Sequence, residues 1–258
     1  MIGHLLSDFT ALQIILALAV TLFAGFVKGA IGFAMPMLML SLFGSFMVSE
    51  KALALLIMPT LVTNLAQSLR QGHGAAWASI VKYRLFIAMV LIFIPITAGF
   101  VRVIPQPLMY ALLAGPIVLF AGVQLAGVSL ALPIHHRRRA EIALGIIGGM
   151  YGGISGIWGP PLIIYLLSIH AEKSEAVRVQ GVVFLLGAVM LTVAHIGSGV
   201  LNPTTAPVSA LMVVPAMLGT WLGFRAHDRL DAARFRRWTL VMLLLTGLNL
   251  LRRAIVAL

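Results

Sequence analysis

Apolar residues run along almost the whole chain and are interrupted at intervals by glycine, proline and charged residues. Ten apolar segments can be delimited, at about 11–27, 31–47, 51–70, 80–101, 106–129, 141–154, 157–169, 175–197, 206–224 and 236–256. Apolar positions are continuous within them rather than alternating, which excludes a transmembrane β-barrel. Because a helix crosses a bilayer with about 20 largely apolar residues, the pattern predicts an all-α polytopic membrane protein.

Two of the interruptions are alike. The first reads GFVKGAIGFAMP from Gly25 to Pro36, and the second reads GMYGGISGIWGP from Gly149 to Pro160. Three glycines and the proline recur at a constant offset of 124 positions. The repetition predicts two related halves, residues 1–130 and 141–258, joined by a basic linker at 131–140. Further along, Pro95 matches Pro215 at an offset of 120.

Each half contains five segments, of which the first two are short and meet at the glycine-rich motif. Such a pair could be two thin spanning helices or a re-entrant hairpin whose tip lies within the membrane. Irregular backbone at that depth is tolerated only where it is buried or lines a cavity. Because five is an odd number, the second half is predicted to be inserted upside down. Inverted-topology repeats are typical of secondary transporters.

Composition and charge agree with a membrane protein. Hydrophobic residues make up 61% of the chain and charged residues 10%, with a mean hydropathy of +1.07. The net charge of +11 follows from basic loops rather than a nucleic-acid-binding surface. The positive-inside rule places loops 71–79, 130–140, 170–174 and 225–235 in the cytoplasm and both termini outside. Residues 1–10 contain no Lys or Arg, so the first apolar run is expected to stay in the mature protein.

Lys28 is the one basic residue inside the first motif. A lysine at the centre of a spanning helix costs about 2.5–3.5 kcal/mol, so it must either snorkel to the interface or have a function. The functional interpretation is attraction of an anion at a broken helix, where exposed amides also favour negative charge. The glycines could instead permit close helix packing. Three prolines favour broken helices over packing alone, namely Pro36, Pro160 and Pro161.

The candidate substrate-binding residues are those of the two motifs with one glutamine of the third segment: Lys28, Gly29, Gly32, Gln67, Gly153, Ser155, Gly156 and Trp158. Gln67 belongs to a polar stripe with Thr60, Asn64 and Gln71 at helical spacing. The stripe could line a passage or make hydrogen bonds between helices. Asn64, Gln180 and His195 form a candidate polar pathway, with His195 a candidate proton carrier.

Nothing in the sequence resembles an enzyme site, a metal site or a cofactor site. Walker, metal-spacing and nucleophile-elbow motifs are absent, and there is no cysteine. Transport without a nucleotide-binding loop would be passive or driven by a proton or sodium gradient. The expected partners are therefore a small anion, the lipid bilayer and a coupling ion, with no nucleic acid. The oligomeric state is left open.

The paired motifs, the chain length and the GGISGIWGPP run from Gly152 to Pro161 resemble the sulfite exporter TauE/SafE family over nearly the whole chain. The resemblance implies a bacterial inner-membrane permease for small sulfur-containing or organic anions, such as sulfite, sulfoacetate and related sulfonates. Lys28 stands where the family often has a small residue, and Gly152 fills the equivalent place in the second motif. The alternative hypothesis is a non-transporting membrane scaffold or assembly protein whose glycines serve helix packing.

Overall fold

The computed structural model describes residues 9–226 and 231–257. Within these ranges the regular secondary structure is helical throughout. The helices are α1 (Ala11–Ile31), α2 (Met35–Phe43), α3 (Ser49–Ser68), α4 (His73–Lys82), α5 (Arg84–Ala98), α6 (Gln106–Leu125), α7 (Arg137–Ser155), α8 (Gly159–Ser168), α9 (Lys173–Gly197), α10 (Thr205–Leu211), α11 (Val213–Ala226) and α12 (Ala232–Val256).

Local sequence explains where several helices begin. Thr10 and Gln13 form a capping box at the start of α1, in which each side chain accepts a hydrogen bond from the other's backbone N–H. The Asp231 carboxylate accepts from the first amides of α12. Helices α2, α6 and α8 instead carry proline in the first turn, where its missing N–H removes no intrahelical bond.

Five stretches are long and apolar enough to cross a membrane: Ala11–Ile31, Gln106–Leu125, Ser174–Gly197, Thr205–Ala226 and Ala233–Val256. Helices α3 and α4 would together make a sixth, but they are bent by 105° where they join. The predicted all-α, multi-pass membrane architecture is therefore confirmed. The inverted relation between the two halves stays a prediction.

The first segment of each half is longer than the sequence predicted. Helix α1 has 21 residues and α7 has 19, because both continue through the first glycines of their motifs. Only the second member of each pair is short, with 9 residues in α2 and 10 in α8. The helical interruption itself is confined to residues 32–34 and 156–158.

Each motif lies at the tip of a hairpin with unequal arms. Near the start of α1, the Gln13 side chain donates to the Phe46 carbonyl at 3.0 Å, just after α2 ends. Near the start of α7, Arg137 Nε donates to the Tyr165 hydroxyl of α8 at 3.3 Å. Both pairs therefore return the chain to the side on which it entered, as expected for either sequence interpretation.

Packing between the predicted halves is reciprocal. Helix α1 packs along α11, and α7 packs along α5. The third segment of one half lies against the third of the other, as α3 and α9, and the fifth segment lies against the fifth, as α6 and α12. This pairing is what a two-fold relation between two five-segment units requires.

Glycines make the closest of these approaches. A Cβ built on Gly29 would lie 2.2 Å from the Thr220 carbonyl oxygen, and one on Gly153 would lie 2.3 Å from that of Ile94. Real Cβ atoms do not come so close, so the backbones meet here only because both residues are glycine. Packing is therefore part of what the motif glycines do.

The same contacts align the fourth segments of the two halves. Gly25 faces the Ala216 carbonyl as Gly149 faces that of Val90. Ala216 and Val90 lie 126 positions apart, as do Thr220 and Ile94. The sequence match of the prolines at an offset of 120 is therefore wrong as a structural equivalence, because helix packing selects a register six residues away.

Candidate functional site

A small cavity lies between the two breaks. Its volume, about 30 Å³, is room for about two water molecules. Its walls come from both motifs and from α1, α3 and α9, through Lys28, Phe33, Ala34, Pro36, Met37, Thr60, Asn64, Gly156, Ile157, Trp158, Gly159 and Phe184. The two motifs, 124 positions apart in sequence, thus share one site.

Left-handed backbone creates both breaks. Gly32 has φ +86° and Gly156 has φ +69°, values that favour glycine because L side chains are strained there. Each is the C-cap of its helix. The Gly32 N–H donates to the Lys28 carbonyl, and the Gly156 N–H donates to the Gly152 carbonyl, both at 2.7 Å. Their amides are therefore occupied within the caps.

The backbone amides that remain for a ligand follow each break, in the first turns of α2 and α8. The first N–H groups of a helix have no intrahelical partner. At the start of α2 these include Met37, and at the start of α8 they include Gly159, both of which line the cavity. Two positive helix ends therefore border the same space.

Among the described residues that line the cavity, Lys28 is the one with a charged side chain. The residue is 2% exposed, so its side chain does not snorkel to an interface. Its ammonium donates to the Thr63 hydroxyl at 2.9 Å and to the Asn64 side-chain oxygen. Both partners are neutral. Among the described residues, the ion pairs are Lys82–Glu175 and Arg102–Glu50, so Lys28 is buried without a carboxylate.

Helix α3 supplies the polar wall beside Lys28. Asn64, a predicted pathway residue, also donates to the Phe184 carbonyl at 3.0 Å, which fixes its orientation. The Thr60 side chain is fully buried, and its hydroxyl has no hydrogen-bond partner in the described part of the chain. Thr60 belongs to the predicted polar stripe but not to the predicted site residues. This buried hydroxyl can therefore donate to a group in the cavity.

The second break supplies an aromatic wall. Gly152 is the counterpart of Lys28, and the Trp158 indole lies against it: a Cβ on Gly152 would be 2.8 Å from Trp158 Cε3. The counterpart of Trp158 in the first motif is Ala34. The first motif thus has a long side chain at Lys28 and a small one at Ala34. The second motif has no side chain at Gly152 and a large one at Trp158. Phe184 completes this wall, with its ring edge-on to Trp158 at 6.3 Å.

Five predicted site residues support the breaks instead of lining the cavity, and Gly32 is one of them as the C-cap of α1. Gln67 donates to the Gly32 carbonyl at 3.2 Å. The Ser155 hydroxyl donates to the Tyr151 carbonyl at 2.7 Å and accepts from the Ile157 amide at 3.1 Å. Gly29 and Gly153 pack against neighbouring helices, as described above. Pro160 and Pro161 occupy the first turn of α8, and Pro36 both lies in the first turn of α2 and lines the cavity.

The rest of the predicted polar pathway lies elsewhere. His195 Nε2 faces the Gly153 carbonyl at 3.0 Å, so that nitrogen must carry a proton. Its Nδ1 is 3.1 Å from the Ser198 hydroxyl, which can donate to it. Both ring nitrogens are thus satisfied by a neutral imidazole that ties α9 to α7. Gln180 is partly buried on α9 and, like His195, does not line the cavity.

Two residues of the cavity wall, Met37 and Phe184, lie outside both motifs and outside the polar stripe. Phe184 comes from a helix with no motif of its own. Among the described residues, no three His, Asp or Glu side chains cluster closely enough to hold a metal ion. The Lys28 ammonium, the Thr60 hydroxyl and the N-terminal ends of α2 and α8 border one cavity, and this arrangement can bind an anion against its aromatic wall.

Comparison with known proteins gives one result. A family model described as "Sulfite exporter TauE/SafE" matches residues 17–250. No curated protein and no solved structure matches. The matched range includes both breaks and every residue of the cavity wall. Members of this family are membrane transporters and not enzymes. The chain therefore belongs to the sulfite exporter TauE/SafE family.

Proposed function

We propose that this protein carries a small anion, sulfite or another sulfur oxyanion or organosulfonate, across the bacterial inner membrane. Its binding site would be the cavity between the two breaks. The observation that carries the proposal is Lys28, whose ammonium is buried among neutral partners. Because an uncompensated buried charge costs several kcal/mol, a bound anion would stabilise the site.

Three further donors favour the same ligand. The Thr60 hydroxyl has no partner and can donate to an anion oxygen. The N-terminal turns of α2 and α8 border the cavity, and helix N-termini bind anions through free amides and the helix dipole. All of these groups lie on different elements, so only a ligand between the breaks could use them together.

Alternating access is the proposed mechanism. Thr60 lies near the middle of the 20-residue helix α3, so the cavity would sit close to the bilayer midplane. The reciprocal packing of α1 with α11 and α7 with α5 supports two inverted halves that rock about that site. A space for about two waters is too small for an anion of four or more heavy atoms. Binding would therefore require the breaks to move apart.

The positive-inside rule supports a cytoplasmic location for the basic loops. Two of those loops meet in the structure, where the Gln71 side chain donates to the Ser174 carbonyl at 3.4 Å. Because the chain has no cysteine, single cysteines report sidedness directly. We expect His135→Cys to react with an impermeant maleimide only from the cytoplasmic side, and Val103→Cys only from outside. Labelling of both from one side would contradict this topology.

The transport proposal is tested in liposomes by counterflow of radiolabelled sulfite, sulfate and methanesulfonate. We expect Lys28→Met to weaken the affinity for the transported anion about thirtyfold, since hydrogen bonds to charged groups contribute about 2 kcal/mol. Lys51→Met is the matched control, because Lys51 lies over the Phe9 ring and outside the cavity wall. It should transport as the native protein does.

Two results would count against the proposal. Absence of counterflow with all three anions in the native protein would overturn transport and favour the scaffold alternative. Equal anion affinity in the native protein and in Lys28→Met would leave transport standing but remove the cavity as its site.

A further inference from the structure

A second pair of hydrogen-bond donors lies outside the cavity, where the end of α6 meets the start of α12. The exposed Arg236 of α12 donates through Nη2 to the Gln124 side-chain oxygen of α6 at 3.3 Å. Because a guanidinium can only donate, the Gln124 oxygen must be the atom that faces it. The Gln124 Nε2 donor is buried and has no hydrogen-bond partner in the described part of the chain. One cation and one unused amide donor therefore lie side by side.

The charge of Arg236 is not neutralised by a neighbouring carboxylate. The ion pairs of the described residues involve other side chains. Asp231 is the closest described acidic residue in sequence, and its carboxylate accepts hydrogen bonds from the backbone amides that begin α12. Arg234 and Arg237 are exposed on the same part of α12 and add to the positive field. This surface therefore attracts anions.

The Phe33 ring separates this surface from the cavity. Phe33 lines the cavity and Arg236 does not, yet the Arg236 guanidinium lies over the Phe33 ring at 6.0 Å from its centroid. Phe120, which lies one turn before Gln124 on α6, is edge-on to the same ring at 6.2 Å. The ring thus has the cavity on one side and Arg236 on the other.

The cavity is closed more deeply at the second break. The space beside Gly156 is filled by Leu53, Leu56 and Leu191, which are each at most 1% exposed. At the first break, Phe33 is 9% exposed and the next group outward is an exposed arginine. The thinner barrier is therefore at Phe33. It lies where α6 and α12 join loops 130–140 and 225–235, which the positive-inside rule places in the cytoplasm.

We propose that Arg236 and Gln124 form a second anion site at the cytoplasmic mouth, and that the Phe33 ring is the gate between this site and the cavity. The inference rests on the proposed transport function and adds the step by which the anion meets the cytoplasm. An oxyanion would accept hydrogen bonds from the guanidinium and from Gln124 Nε2. Because Arg236 is exposed to water, it would hold the anion more weakly than the buried Lys28, as a transient site requires.

Cysteine labelling tests the anion site without requiring transport. The chain has no cysteine, so Thr60→Cys places a single thiol in the cavity wall. Inside-out membrane vesicles, which expose the cytoplasmic face, are treated with methanethiosulfonate reagents of similar size that carry a sulfonate or a trimethylammonium group. The ratio of the two labelling rates measures the preference for an anion.

In this background we expect Arg236→Gln to lower the ratio about fivefold, as removal of one exposed charge allows. Gln124→Glu should lower it at least as much, because a carboxylate there would pair with Arg236 and repel the anion. Arg237→Gln is the matched control, since it removes the same charge from an exposed neighbour, and it should leave the ratio unchanged.

The gate has its own variant. Phe33→Ala should raise both labelling rates severalfold and leave their ratio unchanged, because an opening in the barrier admits either reagent. The control is Phe26→Ala, since Phe26 is edge-on to Phe235 and lies outside the cavity wall. Should Phe33→Ala not yield folded protein, Phe33→Leu replaces it, with a smaller rise expected.

Several results would overturn the proposal. A native ratio in Arg236→Gln, or an equal fall in Arg237→Gln, would exclude the anion site, and native rates in Phe33→Ala or Phe33→Leu would exclude the gate. Labelling of Thr60→Cys from the outer face alone would exclude the cytoplasmic route. Methanesulfonate counterflow separates this inference from the transport function. Its absence in the native protein would overturn transport, whereas normal counterflow with an unchanged ratio in Arg236→Gln would overturn only the second site.

Discussion

The two breaks share a left-handed glycine cap but contribute different chemistry. Each contains a left-handed glycine cap, Gly32 or Gly156, followed by a short helix with proline in its first turn. The first break adds the buried ammonium of Lys28, and the second adds the indole of Trp158 over Gly152. The comparison teaches that the repeated element is the interruption of the helix. The charge and the apolar surface are divided between its two copies.

The division also has a stability consequence. Lys28 is a desolvated charge, so it stabilises the protein only when an anion compensates it. Trp158 is a packed side chain enclosed between Gly152 of α7 and Gly187 of α9, where added Cβ atoms would lie 2.8 Å from the indole. On the proposed function, the first break would serve the ligand, whereas the second is held together by packing.

Removing the indole should have the largest effect on stability. We expect Trp158→Ala to lower the free energy of unfolding by about 3–5 kcal/mol, because the vacated space cannot close fully. Thermal stability in detergent, followed by size-exclusion chromatography after heating, measures it. Gly152→Leu should clash in the native background but partly restore stability when combined with Trp158→Ala. A Trp158→Ala protein as stable as the native one would show that the indole does not pack the second break.

Replacing the packing glycines should lower the free energy of unfolding by less than Trp158→Ala does, and by a similar amount in each half. Gly29→Ala and Gly153→Ala each place a methyl group about 2.2 Å from backbone or side-chain oxygens of the facing helix. We expect each to lower the free energy of unfolding by about 1–3 kcal/mol through overpacking. Gly115→Ala is the control, since nothing lies within 4 Å of its added Cβ. A large loss for one glycine and none for the other would break the reciprocity of the helix packing.

Much of the site was visible in the sequence because backbone breaks leave a residue signature. Glycine and proline at a fixed offset marked both interruptions, and a lysine inside an apolar run marked the charge. The sequence alone does not show which motif glycines permit close helix packing and which form the left-handed turn. Gly29 and Gly32 look alike in a motif, but one permits helix contact and the other a left-handed turn, and only the facing helix decides which.

The remaining parts depend on contacts between distant segments. Phe184 joins the cavity because α9 packs along α3, and nothing in its own neighbourhood signals this. Outside the site, Glu141 follows Arg137 at a spacing typical of an exposed ion pair. It is nevertheless buried, because α5 and α8 pack against α7. The hydrophobic pattern was enough to predict the fold class. Aligning the fourth segments residue by residue, in contrast, depends on how the helices pack against each other, which the sequence does not show.

The central claim is that both breaks bind one anion, and locating that anion tests it most directly. A structure of the protein with selenite, measured at the selenium absorption edge, would show the ion by its anomalous signal. We predict a single strong peak between the breaks, within hydrogen-bond distance of Lys28 Nζ and the Thr60 hydroxyl. Lys28→Met should lose that peak. A peak elsewhere, or one between the breaks that persists in Lys28→Met, would contradict the account.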